Sequence, residues 1–247
     1  MIVEYTVYFF VTLLLSTIFA IAGLGSAVAL VPSLNIAGLS FDMARVSGLF
    51  VNSITTITTS MLNLKKQLFD ISFVLPLVLS SVIFAFVGAQ ISLQVDTELV
   101  KTIFGITLLI IASMILFFRT PPNMVIKNSK LILIFAGSIG GFFSGFLGIG
   151  GGSIISPILL LFGYDIKKIS IGISFVIPFS SIVAFGSYAS VIELDFTLLA
   201  VVGVAAYIGG TFGNYILHFK ISAKAIKKIL GLALYIIAIK MLFFTTS

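Results

Sequence analysis

Two short glycine-rich stretches hold the residues best placed for chemistry in this 247-residue sequence. They are GLGS at 23–26 and GIGGGS at 148–153, and each interrupts a long apolar segment. Where a helix restarts after glycine, its free N–H groups and partial positive charge form a binding site for an anion. Serine hydroxyls can add hydrogen bonds to that site. The candidate binding residues in the two stretches are Gly23, Gly25, Ser26, Gly148, Gly150, Gly151, Gly152 and Ser153.

Polar side chains in the apolar segments that follow these stretches are the next candidates. Asn52 and Ser53 lie in the first such segment, and Ser174 and Ser180 lie in the second. Together they could line a pathway for a small polar solute. Two structural alternatives stay open. Each side chain could bond to a neighbouring helix or to its own backbone, and the glycines could serve only close helix packing.

Arg45 lies at the mouth of the second apolar segment and could attract an anion. A side chain that snorkels to the membrane interface is the favoured interpretation. His218 lies at the basic end of an apolar segment, where an interfacial anchor is favoured over a titrating group.

Several kinds of chemistry are missing from the sequence. It has no cysteine and a single histidine, and no carboxylate lies in the middle of an apolar segment. We therefore expect no metal centre, no cofactor and no carboxylate proton relay. Phosphate-binding loops with a lysine, histidine–glutamate metal pairs and nucleophile elbows are also missing, which argues against an enzyme. Because no carboxylate lies inside an apolar segment to neutralise a cation, the sequence favours a neutral or anionic solute.

The composition predicts that these residues lie in a membrane. Hydrophobic residues make up 60% of the chain and charged residues 9%, with a mean hydropathy of +1.28, whereas soluble domains carry roughly 25% charged residues. The net charge of +6 comes mainly from short loops, which indicates a positive-inside bias rather than nucleic-acid binding. The sequence predicts an all-α, polytopic membrane protein with apolar segments at 5–40, 43–64, 70–93, 98–118, 131–163, 168–190, 195–219 and 224–244.

The chain is predicted to contain two similar halves. A shift of 125 residues pairs Gly25 with Gly150, Pro32 with Pro157, and three further glycine positions with glycine. We interpret this as a duplication. It gives an N-terminal membrane repeat at 1–118, a cytoplasmic linker at 119–130 and a C-terminal membrane repeat at 131–247. The first segment of each repeat is longer than one crossing needs and is interrupted by glycine and then proline, so we expect two shorter helices with a break between them.

Loop charges predict that the two halves face opposite ways. Matching loops of the two halves exchange their charge character, since Lys65 and Lys66 correspond to a loop with Glu193 and Asp195. If each long first segment enters and leaves by one face, all basic loops lie in the cytoplasm and both termini lie outside. Each half then has three crossings and a re-entrant hairpin. Eight full crossings are the alternative that the sequence leaves open.

The motifs GLGSAVALVPSL and FLGIGGGSIISPILLLFGYDIKKISIGISF resemble those of the TauE/SafE (TSUP) family of membrane transporters, and the resemblance extends over residues 5–244. It implies two duplicated halves and transport of small sulfur-containing anions or related organic acids. The motif positions that it implies are Gly148, Gly150, Gly151, Gly152 and Pro157. The first half departs from this pattern, because Ser26 and Ala27 stand where the second half has Gly151 and Gly152.

These observations combine into one functional hypothesis. We expect a secondary transporter of the plasma membrane that moves a small anion, such as sulfite, thiosulfate or a sulfonate, by alternating access. Its partners would be the solute and the lipid bilayer, with no nucleic acid, and the sequence leaves room for a homo-oligomer. The alternatives are a membrane scaffold or partner subunit without transport, and an intramembrane enzyme.

Overall fold

A computed structural model describes residues 2–22, 25–64, 70–117, 129–216 and 223–244. These residues form ten α-helices and no β-strand, as the all-α prediction requires. The helices are α1 (Ile2–Ala22), α2 (Ala27–Ile36), α3 (Phe41–Leu64), α4 (Ile71–Ser92), α5 (Thr97–Phe117), α6 (Lys130–Leu147), α7 (Gly152–Leu161), α8 (Ile166–Ala189), α9 (Phe196–Ile216) and α10 (Ala223–Phe244).

Six of the described helices are long and apolar enough to cross a membrane, namely α1, α4, α5, α6, α8 and α9. Large apolar side chains cover their outer surface. On α4, for example, Leu75, Leu79, Ile83 and Phe86 follow one another at helical spacing and are exposed. Such a continuous apolar face is unfavourable in water and favourable against lipid. The prediction of a polytopic membrane protein is therefore confirmed.

Each long first segment is divided as the sequence predicted, but unequally. Segment 5–40 forms the full-length α1 and the 10-residue α2, and segment 131–163 forms α6 and the 10-residue α7. The prolines do not contribute to the interruption. Pro32 and Pro157 lie inside α2 and α7, which continue past them. The breaks therefore fall at the glycine-rich stretches. The structure describes Gly25 and Ser26 of the first break and residues 148–151 of the second break.

The 125-residue shift also relates the helix boundaries. It carries Ala27–Ile36 onto Gly152–Leu161 and Phe41–Leu64 onto Ile166–Ala189, residue for residue. It also carries the start of α4 onto the start of α9. A pattern that pairs whole helices is harder to obtain by chance than paired residues in an apolar sequence, so it supports duplication.

The helices pack into two bundles, and each bundle takes helices from both halves. The first bundle consists of α1, α2, α3 and α9, and the second consists of α4, α6, α7 and α8. Glycines allow helices from different halves of the sequence to pack closely. Gly209 and Gly213 of α9 bring its backbone against α1, while Gly141 and Gly145 of α6 bring its backbone against α4. The two bundles meet mainly where α3 packs on α8, and α5 packs on α10 beside them.

The contacts at the helix ends define two opposite ends of the protein. At one end the Tyr5 hydroxyl donates to Asp195 at 2.7 Å, which places the start of α1 beside the start of α9. At the other end the backbone N–H of Ser129 donates to the Tyr164 hydroxyl at 3.1 Å. The segment α6–α7 therefore returns to the end at which it began. We call these the acidic end and the basic end, after the charges that the sequence gives their loops.

An ion pair at the basic end joins α4 to α8. Asp70 caps the start of α4 by accepting from the N–H of Phe73, and its other carboxylate oxygen lies 2.9 Å from Lys168 Nζ. The hydrogen bond from Lys168, followed by that from Ser72, lowers the pKa of Asp70 to about 2 from its ordinary value of 3.8. A depressed carboxyl pKa stabilises the folded state above about pH 4 and loses that effect as the pH falls towards 2.

We expect Asp70→Asn to lower the melting temperature at pH 7 by about 2 °C, because an exposed pair contributes little. The difference from the unaltered protein should shrink as the pH falls from about 4 to 2. Thermal unfolding in detergent at several pH values measures it. Lys168→Gln should give the same loss, and the double variant should add little to either. Additive losses would show that the pair is not coupled.

Candidate functional site

The two breaks meet at Asn52, in the middle of α3. Gly25 and Gly150 both adopt positive φ angles, of 81° and 70°, which favour glycine. A Cβ added to Gly25 would lie 2.5 Å from Asn52 Oδ1, and one added to Gly150 would overlap Asn52 Nδ2. The buried amide of Asn52 therefore fills the space between the two breaks. The two breaks of the duplicated glycine motif therefore converge on one side chain.

The second bundle completes this contact through α8. Asn52 Nδ2 donates to the hydroxyl of Ser181 at 3.0 Å, and Ser181 is fully buried. The sequence singled out the adjacent Ser180 instead, whose hydroxyl donates to the carbonyl of Ile177 on its own helix. The two serines lie on different faces of α8, and the sequence alone could not choose between them.

Three polar atoms, on Asn52 and on residues in or next to the two breaks, have no hydrogen-bond partner among the described residues. They are the hydroxyls of Ser26 and Ser153 and the Oδ1 atom of Asn52, and all three side chains are buried. Ser26 directly precedes α2 without capping it, and Ser153 lies in the first turn of α7. A buried polar atom left unpaired costs roughly 1–3 kcal/mol. A polar solute or water that reaches such atoms therefore gains stability by hydrogen-bonding to them.

A small cavity opens beside Gly25. Its volume is about 10 Å³, which is room for roughly one water molecule. The lining residues come from α1, α3, α8 and the first break, and are Phe19, Ala20, Gly25, Thr55, Thr56, Thr59 and Ser174. A sulfur oxyanion is larger than this space and does not fit in this cavity.

Most hydroxyls of the predicted pathway bond to their own helices. Ser53 donates to the carbonyl of Leu49 at 2.8 Å, and Ser174 donates to that of Ile171 at 2.7 Å. Thr55 and Thr56 do the same one turn back along α3. These bonds match the structural alternative stated above for single hydroxyls. Their oxygen atoms can still accept a second hydrogen bond.

The remaining glycines of the second motif have packing contacts. A Cβ on Gly151 would lie 2.8 Å from the carbonyl oxygen of Gly140 on α6, and one on Gly152 would overlap Ile177 on α8. Their lack of a side chain lets α7 approach both helices. Gly148 packs against the side chain of Arg45. Gly23 lies outside the described residues, and so does His218.

The interfacial interpretation of Arg45 is wrong. Its side chain is 3% exposed, and Nη1 donates to the hydroxyls of Ser92 at 2.6 Å and Tyr188 at 3.1 Å. Nη2 donates to Asp42 at 2.5 Å. A charge is costly in a membrane protein unless it is paired and hydrogen-bonded, and this network supplies both. The i, i+3 spacing of Asp42 and Arg45 was a signal of the ion pair, whereas nothing near them in sequence indicated Ser92 or Tyr188.

Comparisons with known proteins point in one direction. The family model described as "Sulfite exporter TauE/SafE" matches residues 8–241. A probable membrane transporter protein of Methanocaldococcus jannaschii is 36% identical over 115 residues. That alignment covers 45% of this chain and 42% of the relative, so the match spans less than half the length of either protein. No solved structure matches the chain.

Proposed function

We propose that this chain, which belongs to the TauE/SafE family, is a secondary transporter that moves a small anion across the plasma membrane. The observation that carries the proposal is the meeting of both glycine breaks at Asn52, where the Asn52 Oδ1 atom and the hydroxyls of Ser26 and Ser153 have no partner among the described residues. Two short helices, α2 and α7, begin at this point. Their first N–H groups supply donors and partial positive charge for an anion.

The solute class follows from the chemistry of these groups and from the family. Backbone amides and serine hydroxyls donate hydrogen bonds to the oxygen atoms of an oxyanion without needing a full positive charge. Among the described residues, no group of three or more His, Cys, Asp or Glu side chains could hold a metal ion. We propose sulfite, thiosulfate or a sulfonate, or a related organic acid, as the solute, bound near Gly25, Ser26, Asn52, Gly150 and Ser153.

Alternating access would follow from motion between the two bundles. Asn52 belongs to the first bundle and its partner Ser181 to the second, so the candidate site lies at the interface where α3 meets α8. Because each bundle contains helices of both repeats, the moving bodies would be the bundles and not the sequence halves. Rotation at this interface would expose the site first at one end and then at the other.

Flux measurement tests the proposal directly. Purified protein in liposomes should accelerate the movement of labelled sulfite, thiosulfate or methanesulfonate over empty liposomes. The absence of protein-dependent flux in either direction for all three anions would refute the proposed solute class. It would leave the fold and the family membership unchanged.

We also propose that the basic end faces the cytoplasm and that both termini lie outside. A reporter fused after Ser247 should therefore lie outside the cell, and one fused within the linker after Asn123 should lie inside. Eight full crossings would place both reporters on the same face. The pair of fusions consequently separates the two arrangements in a single experiment.

A further inference from the structure

Arg45 joins the two bundles at the acidic end. It belongs to α3 in the first bundle, and its partners Ser92, Phe146 and Tyr188 belong to α4, α6 and α8 in the second. The guanidinium also lies over the rings of Tyr188, at 4.7 Å, and Phe41, at 5.0 Å. If the bundles separate at this end, Arg45 must lose these contacts.

The guanidinium has hydrogen-bonding capacity left over. Arginine carries five N–H donors, and among the described residues Nη1 and Nη2 have hydrogen-bond partners while the buried Nε has none. The side chain of Arg45 also packs on Gly148, the first residue of the second break. Arg45 is therefore a charged donor placed between the acidic end and the candidate site.

The anion that neutralises Arg45 is the most exchangeable part of the network. The Asp42 side chain is 41% exposed, whereas that of Arg45 is 3% exposed. The Asp42 carboxylate can therefore be solvated by water at small cost when it leaves the guanidinium. The guanidinium cannot remain buried without an anion. A solute with an anionic oxygen group can occupy the position that Asp42 leaves, and it can pair bidentately with the guanidinium.

We propose that Arg45 is an anion-binding residue on the route between the acidic end and the two breaks, and that Asp42 competes with the solute for it. This inference rests on the proposed function. It assigns the recognition of charge to Arg45 and leaves to Asn52 and the helix starts the binding of the oxygen atoms. The alternative is a purely structural role, in which Arg45 ties the end of α6 to α3.

The two roles differ in what Asp42 does. If Asp42 competes with the solute, Asp42→Asn frees the guanidinium and should lower the sulfite concentration for half-maximal uptake from the acidic end by about threefold or more. Arg45→Gln should raise that concentration at least about tenfold. Lys101→Gln is the matched control, because Lys101 lies near the same Phe41 ring but pairs with Glu98 on its own helix, α5. It should leave the half-maximal concentration unchanged.

If Arg45 has a purely structural role, the two variants should affect different quantities. Both Asp42→Asn and Arg45→Gln would then reduce the maximal rate or the melting temperature and leave the half-maximal concentration unchanged. That result overturns the proposal. An increase in the half-maximal concentration for Asp42→Asn overturns it as well, because Asp42 would then promote binding of the solute instead of competing with it.

A thiol reporter keeps the inference testable even if sulfite is not transported. The chain has no cysteine, so Ser92→Cys would place the only thiol next to Arg45. Ser92 is buried, so we expect a membrane-impermeant maleimide added at the acidic end to label the cysteine when the bundles separate there. Ethanesulfonate should slow the labelling. Ethanesulfonate presents a sulfonate group and does not react with maleimide. Adding Arg45→Gln should remove the protection.

The outcomes of labelling are decisive in each direction. If ethanesulfonate protects the cysteine only when Arg45 is present, and no anion flux is found, the anion site is retained and the transport proposal is refuted. Equal protection with and without Arg45, no protection, or no labelling at all would refute the anion-binding role of Arg45, whatever the flux.

Discussion

Gly150→Leu is expected to reduce anion flux through this protein by about a hundredfold or more. Gly150 has a φ angle of 70°, and a Cβ there would overlap Asn52 Nδ2 and lie 3.4 Å from the Ser181 hydroxyl. A leucine side chain would displace the amide from between the two breaks and would strain the backbone. Flux of labelled sulfite into proteoliposomes measures the effect, with the amount of reconstituted protein determined in parallel.

The control for this variant uses the same substitution in open space. Gly186 lies on α8, is exposed, and has no atom within 4 Å of an added Cβ. Gly186→Leu should therefore preserve flux. Gly150→Ala provides a smaller change for the case in which leucine prevents folding, and it should still lower flux strongly. Full flux in a folded Gly150 variant would refute the proposed site.

Asn52→Asp is expected to reduce anion flux at neutral pH at least about tenfold. The substitution keeps the size of the side chain and adds a negative charge between the two helix starts. A carboxylate there would occupy the same donors that the solute needs and would repel the incoming anion. The measurement is flux against sulfite concentration, together with the melting temperature of the variant.

Asn35→Asp is the matched control. Asn35 lies at the end of α2, is partly exposed, and donates to the carbonyl of Leu39 at 2.9 Å. The same change of charge at that position should leave flux within about twofold of normal, since water and salt screen an exposed charge. If both aspartate variants lose flux equally, charge at the Asn52 position has no special role. Unchanged flux in Asn52→Asp would remove Asn52 from the site.

Much of the architecture could be predicted because glycine acts locally. A glycine at positive φ interrupts a helix whatever surrounds it, so the breaks at Gly25 and Gly150 were readable from the sequence. Proline was misleading for the same local reason. Its missing N–H suggested an interruption, but α2 and α7 continue through Pro32 and Pro157. Their surroundings outweigh the local preference, as tertiary packing often does.

The composition of the site was less predictable because it depends on helix phase and on distant partners. Ser180 and Ser181 are adjacent, and only the rotation of α8 against α3 places Ser181 on Asn52. Gly151 and Gly152 resembled site residues because they share a motif with Gly150, yet they pack against α6 and α8. Arg45 resembled an interfacial residue because Tyr188 is 143 positions away in the sequence.

The exchange of helices between the two bundles has a consequence for synthesis of the protein. The glycine faces of α6 and α9 are the surfaces on which α4 and α1 rest, and both are made after the linker at 119–130. A nascent chain that has inserted only its first repeat therefore presents unpaired helices to lipid and to the insertion machinery. The second bundle cannot close before the ribosome has passed residue 189, and the first cannot close before it has passed residue 216. Residues 119–130 thus divide the two proposed repeats in sequence without separating two units of assembly.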